Sequence, residues 1–173
     1  MPVSFLDPNT LARTYRDPVA WVILAVDLFP IIAVLIFGWG AVPLVFLYWL
    51  ENLIAGVVAL ARMTAASMKN GPIGLLGMLF LGPFFLVHYG MFCFVHGIFV
   101  ATFAEFSAGR EPDGPIFDGL GLIDMALASG AYMSIFVAAI IMLQVFLYLR
   151  DFIWRGEYKD AGVDQEMAAP YTR

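Results

Sequence analysis

The sequence predicts an all-α fold, an integral membrane four-helix bundle with both termini cytoplasmic. Three observations carry this reading. The 173 residues are 62% hydrophobic and only 13% charged, with a mean hydropathy of +0.86, whereas about 25% of residues are charged in soluble domains. Four apolar stretches each reach the roughly 20 residues that a bilayer crossing needs. Charge is also sorted by side. With four spans, Arg13, Arg16, Arg62, Lys69, Arg150, Arg155, Lys159 and Arg173 share one side, which is eight of the nine basic residues. Arg110 stands on the other side, beside Glu105, Glu111, Asp113, Asp118 and Asp124. The positive-inside rule places the basic side in the cytoplasm, and an odd number of spans would spoil the asymmetry.

Residues 1–17 read as a cytoplasmic lead with a short interfacial helix around 11–15, without the apolar core and cleavage site of a signal peptide. Asp17-Pro18 is a helix start, with Asp as N-cap and Pro at the first helical position. The first span covers 18–37. It holds Asp27 near its middle and Pro30 three residues on, where the lost N–H should kink the helix just beyond Asp27. Gly38-Trp39-Gly40 is a tight turn, so the second span, 42–62, should run antiparallel beside the first. Tyr48, Glu51, Asn52 and Ala55 share one of its faces at i, i+3, i+4 and i+7.

Residues 63–72 form a loop ending in an Asn-Gly-Pro break. The apolar stretch 73–103 is too long for one straight crossing. It is expected to be broken or kinked at Gly82-Pro83, leaving a short shelf before a span of 84–103. An acidic Gly/Pro-containing loop follows. The fourth span covers 124–149, with Gly130, Ser134 and Ala138 as a small-residue stripe for close helix contact. Residues 151–173 comprise an interfacial segment rich in Arg, Trp and Tyr and then a polar, disordered cytoplasmic tail.

The polar residues inside these spans carry whatever chemistry the chain has. Hydrocarbon cannot solvate a carboxylate, so such groups must face protein, water or a ligand. Asp27 and Glu51 fall near the bilayer midplane. His88 and His96 lie about 12 Å apart along one helix, so one of them is level with the acids whichever way 73–103 is broken. Three chemistries fit Asp27, Glu51, Asn52 and one histidine. They can bind a divalent metal ion, they can relay protons or bind a proton-coupled cation, or they can satisfy one another as packing glue. Tyr48 and Asn52 would support such a site. Haem is less well suited, since one helix cannot offer both histidines to one iron; a second protomer would be needed. The cofactor is otherwise undetermined.

Other classes fall away. A net charge of −5 without a basic stripe does not suit nucleic acid. The single cysteine, Cys93, excludes an intrachain disulfide and reads as apolar filler. Two histidines are too few for a membrane desaturase. Ser129 and Ser134 lack a G-x-S-x-G context, so catalysis is not expected. The partners expected are the lipid bilayer and a second copy or a larger membrane complex, reached through the Gly130/Ser134/Ala138 face.

The segments YWLEN (48–52) and HYGMFCFVHGIF (88–99) resemble signatures of an uncharacterised family of bacterial multi-pass membrane proteins. The resemblance covers most of 19–150. It implies a bacterial inner-membrane location and supports Glu51, Asn52, His88 and His96 as one site, with Asp27 outside the matched segments. It implies no activity, substrate or cofactor. Two functions stand open: an intramembrane metal or proton-coupled cation site, and a non-catalytic accessory subunit whose polar cluster serves helix packing.

Overall fold

The structure, a computed structural model, describes residues 16–69, 71–110 and 118–171. The helix expected at 11–15 and the acids Glu111 and Asp113 lie outside them. Among the described residues every regular element is helical. The chain forms two compact units, residues 1–39 and 40–173.

The first unit is a bent helix pair, α1 (Pro18–Asp27) and α2 (Phe29–Phe37). The Asp17 carboxylate accepts the Val19 N–H at 3.0 Å and Pro18 occupies the first turn, so the helix begins where the sequence says it should. Pro30 has no N–H to return to the turn before it, and the pair bends by 46° at Leu28, just beyond Asp27 as expected. Gly38 ends α2 in the left-handed conformation (φ +65°), and the Trp39 N–H reaches back to Ala33.

The second unit is built on a long antiparallel hairpin of α3 (Ala41–Met68) and α4 (Gly71–Ser107). Residues 63–68, read from sequence as loop, continue α3. Thr64 and Ser67 donate their hydroxyls to the helix carbonyls of Leu60 and Thr64, and Met63, Ala66 and Ser67 are buried. Burial and local hydrogen bonding outweigh the polar composition. The expected separation at Gly82-Pro83 also does not occur: α4 is one helix of 37 residues with Pro83 inside it. Proline removes a single backbone hydrogen bond. On the far side of it Phe85, Tyr89 and Cys93 pack with Ala59 and Met63 of α3, and Met78 and Leu81 join this core from the near side, which holds the helix together across the gap.

The fourth stretch departs from 124–149. It begins earlier, as α5 (Gly119–Ala128), capped by the Asp118 carboxylate on the Leu120 N–H. It breaks at 129–132, where the Ser129 hydroxyl turns back to the Ala126 carbonyl and Tyr132 adopts a positive φ of 63°. It resumes as α6 (Met133–Leu147), followed by a π-helical segment, Tyr148–Trp154. Ala41–Met68, Gly71–Ser107 and Met133–Trp154 are each long and apolar enough to cross a membrane, and α1 with α2 makes a fourth if a bent pair counts as one span.

The tail is not a disordered extension. After a short 3-10 turn (Glu157–Lys159), α7 (Val163–Ala168) and the turn Ala169–Tyr171 fold back onto the hairpin. Val163 and Met167, one helical turn apart, dock on the Ala59/Met63/Phe85 core. The Lys69 ammonium donates to the carbonyls of Lys159 and Ala161. Arg62 lies over the Phe152 ring at 4.9 Å and 3.7 Å from the Glu166 carboxylate. Asp164 and Gln165 face outward beside a two-residue apolar stripe too short to register in composition.

Removing that stripe should release the tail and leave the hairpin. Losing a partly buried methionine costs about 1.5 kcal/mol, so Met167→Asp should raise cleavage of residues 163–171 in limited proteolysis about tenfold or more, with the helical content of the hairpin unchanged. Cleavage at the wild-type rate would show that Met167 does not hold the tail.

Candidate functional site

Within the two segments singled out in the sequence, two aromatic side chains form a reciprocal clasp between α3 and α4. Trp49 on α3 donates its indole N–H to the Cys93 carbonyl of α4 at 2.8 Å. Tyr89 on α4 donates its hydroxyl to the Asn52 carbonyl of α3 at 3.0 Å. Each ring lies on a glycine of the other helix. A Cβ added to Gly97 would meet the Trp49 ring at 2.7 Å, and one added to Gly56 would meet the Tyr89 ring at 2.5 Å.

The spacing explains why donor and notch occur together. Each accepting carbonyl lies four residues before its glycine, Asn52 before Gly56 and Cys93 before Gly97. A helix carbonyl has two lone pairs, one of which takes the N–H four residues on. The Cβ at that later position tilts back toward the helix N-terminus and crowds the carbonyl. Glycine removes the crowding, so a neighbouring donor can reach the second lone pair. A longer contact to a helix carbonyl without a glycine notch, 3.5 Å from the Tyr148 hydroxyl to the Ala61 carbonyl, ties the π-helical segment to α3.

The candidate ligands take different places. Asn52 enters the clasp through its backbone carbonyl. Glu51 is half-buried one residue earlier. Tyr48, read as Glu51's supporting donor, is 53% exposed. His88 is exposed, stacked on Phe84 with ring centres 5.7 Å apart and with the Tyr171 ring of the tail at 6.3 Å. His96 is half-buried beside Phe92. Tyr89, next to His88, reaches Asn52, and Gly97, next to His96, lies under Trp49, so the two histidines adjoin the two halves of the clasp. Asp27 closes α1, in the other unit, at the bend. Among the described residues, no three His, Cys, Asp or Glu side chains form a group that could hold a metal ion.

Sequence reasoning missed Trp49, Gly56 and Gly97. Two of them lie inside the segments it chose, and the available signal was an aromatic donor facing a glycine on the neighbouring helix.

The family profile designated DUF6498, a family of unknown function, matches residues 9–173, and the chain belongs to that family. This agrees with the resemblance to an uncharacterised family. No curated protein and no solved structure matches the chain.

The clasp makes distinct demands on its parts. Gly56→Ala and Gly97→Ala should each destabilise the hairpin by about 1–3 kcal/mol through overpacking. Tyr89→Phe, which keeps the ring and loses the hydrogen bond, should cost roughly 0.6 kcal/mol and at most about 1.7. Reversible unfolding in mixed micelles measures all three. A Tyr89→Phe loss larger than the glycine losses would put the hydrogen bond, and not the notch, at the centre of the clasp.

Proposed function

We propose that the protein is a multi-pass membrane protein acting as a non-catalytic accessory subunit of a larger membrane assembly, and that the polar groups of its central hairpin serve helix packing. The reciprocal clasp carries this reading. Trp49, Asn52, Tyr89 and Gly97, in the two segments that first suggested a site, are engaged in joining α3 to α4. Such interhelical contacts are the usual employment of small and polar residues within membranes, where the hydrophobic effect does not drive helices together.

The face proposed for a partner has support of a second kind. Ser134 and Ala138 on α6 are exposed, one turn apart, and small residues allow the close backbone approach on which membrane association depends. Gly130 precedes α6 and shapes the break instead of extending the stripe. Four crossings, with α1 and α2 as a bent first span and both termini in the cytoplasm, remain part of the proposal. The sorting of basic residues supports them.

The competing reading makes Glu51, His88, His96 and Asp27 ligands for a divalent metal or a proton-coupled cation. One pair of variants separates the two. If the chain is an accessory subunit, Ser134→Leu should strip co-purifying subunits from the protein extracted in mild detergent, and Glu51→Gln should leave composition and bound mass unchanged in native mass spectrometry. Loss of a bound ion in Glu51→Gln, with folding intact, would sink the packing proposal and establish the ion site.

A further inference from the structure

At the end of the hairpin opposite the tail lies an open groove of about 400 Å³, within the size range of small-molecule sites. Its lining is largely apolar, with Val42 and Phe46 at the start of α3, Ala104 near the end of α4, and Met125 and Ala128 on α5, although Ser107 and Ser129 also border it. Glu105 and Arg110 stand at its rim as a two-point ion pair. The guanidinium donates from Nε at 2.7 Å and from Nη2 at 3.1 Å to the two carboxylate oxygens. This uses two of the five guanidinium N–H groups and leaves the whole of Nη1 available. Arg110 is 67% exposed and Glu105 only 18%, so the cation faces out from the groove while the carboxylate lies deeper in its wall.

The combination selects a ligand chemistry. A negative group meets the outer edge of a guanidinium already aligned by Glu105, and guanidinium–phosphate pairing is favoured by that planar fork. Carboxylate lone pairs not engaged with Arg110 accept N–H donors from a cation beside the phosphate. The apolar floor needs a hydrocarbon chain, and the start of a membrane-length helix puts the groove at interfacial depth. The geometry points to a lipid site: Glu105 and Arg110 hold the head of a glycerophospholipid with a primary ammonium, such as phosphatidylethanolamine, whose acyl chain lies over Val42, Met125 and Ala128. No bond is made or broken. This inference stands on the outer groove alone and does not depend on the role of the central clasp.

Head selectivity is what a merely greasy groove would lack. The intact protein in detergent, titrated with phosphatidylethanolamine, phosphatidylcholine or phosphatidylglycerol and read by native mass spectrometry, should retain the first about tenfold more tightly than the others. Methylation removes the ammonium donors and the glycerol head has no cation. Glu105→Gln should abolish the preference, bringing retention of phosphatidylethanolamine down to that of phosphatidylcholine in the same variant. Ala128→Phe, which fills the floor, should weaken all three lipids. Circular dichroism on each variant shows that the helices are retained, and Arg110→Gln, at an exposed position, provides the alternative should Glu105→Gln not fold. Soluble glycerophosphoethanolamine at millimolar concentration should not displace the lipid. Equal retention of the three heads, an unchanged preference in Glu105→Gln, or displacement by the soluble head would each overturn the assignment.

Discussion

Helix α3 and helix α4 are joined where a backbone carbonyl is uncovered. In hydrocarbon no water competes for the second lone pair of a helix carbonyl, and glycine four residues on lets an aromatic donor reach it. Trp49 and Tyr89 each do this to the opposite helix. Because the exchange is mutual, it fixes axial register and rotation together. A slip of one turn along α4 would take both rings off their glycines and both donors off their carbonyls. The rest of the second unit depends on that register. The Ala59/Met63/Phe85 core forms only when α3 and α4 face each other this way, and Val163 and Met167 dock on that core. Tail, core and clasp are therefore levels of one arrangement.

The same arrangement shows how far the sequence could be read. Elements set by local backbone chemistry were legible: the Asp17-Pro18 start, the bend that Pro30 imposes beyond Asp27, the stop at Gly38 and the reversal between α3 and α4. Each depends on residues with few conformational options. The working face of α3 was not legible. Spacing from the polar residues selects Tyr48, Glu51, Asn52 and Ala55, whereas the face against α4 runs through Trp49, Gly56, Ala59 and Met63. One residue is a rotation of 100°, enough to turn Tyr48 outward while Trp49 is buried. The error has a physical source. The acceptors are backbone carbonyls, which every residue has, and the notches are glycines, which in a sequence read as breaks. Asn52 was chosen for its amide and contributes its carbonyl.

Length misled in two places for related reasons. The stretch around Gly82-Pro83 has the composition of a break, yet both sides of it are buried against the same partner helix. The cost of one missing hydrogen bond is then small beside the packing that keeps the helix continuous. The stretch around Gly130 has no proline and reads as a continuous helix, yet it breaks. There Ser129 satisfies its hydroxyl on the preceding turn and Tyr132 takes a left-handed backbone. Neighbouring contacts, more than the identity of the punctuating residue, decide whether a helix continues.

These facts also separate continuous from interrupted helix. The clasp and its core tie α3 to α4 through contacts from Trp49 to Met63. Backbone continuity is interrupted at Leu28 and at 129–132, and sharp changes of helix direction occur where the hydrogen-bond ladder is broken. The outer groove joins the hairpin to a helix that ends at such an interruption. Phe46 and Glu105 belong to the hairpin, and Met125 and Ala128 belong to α5, which ends at the 129–132 break. Leu122 and Ala126 of α5 are fully buried, so the helix is seated in the unit while Ala128 stays exposed toward the groove. The carboxylate that would meet a polar head and the residues that would meet a chain thus come from different helices.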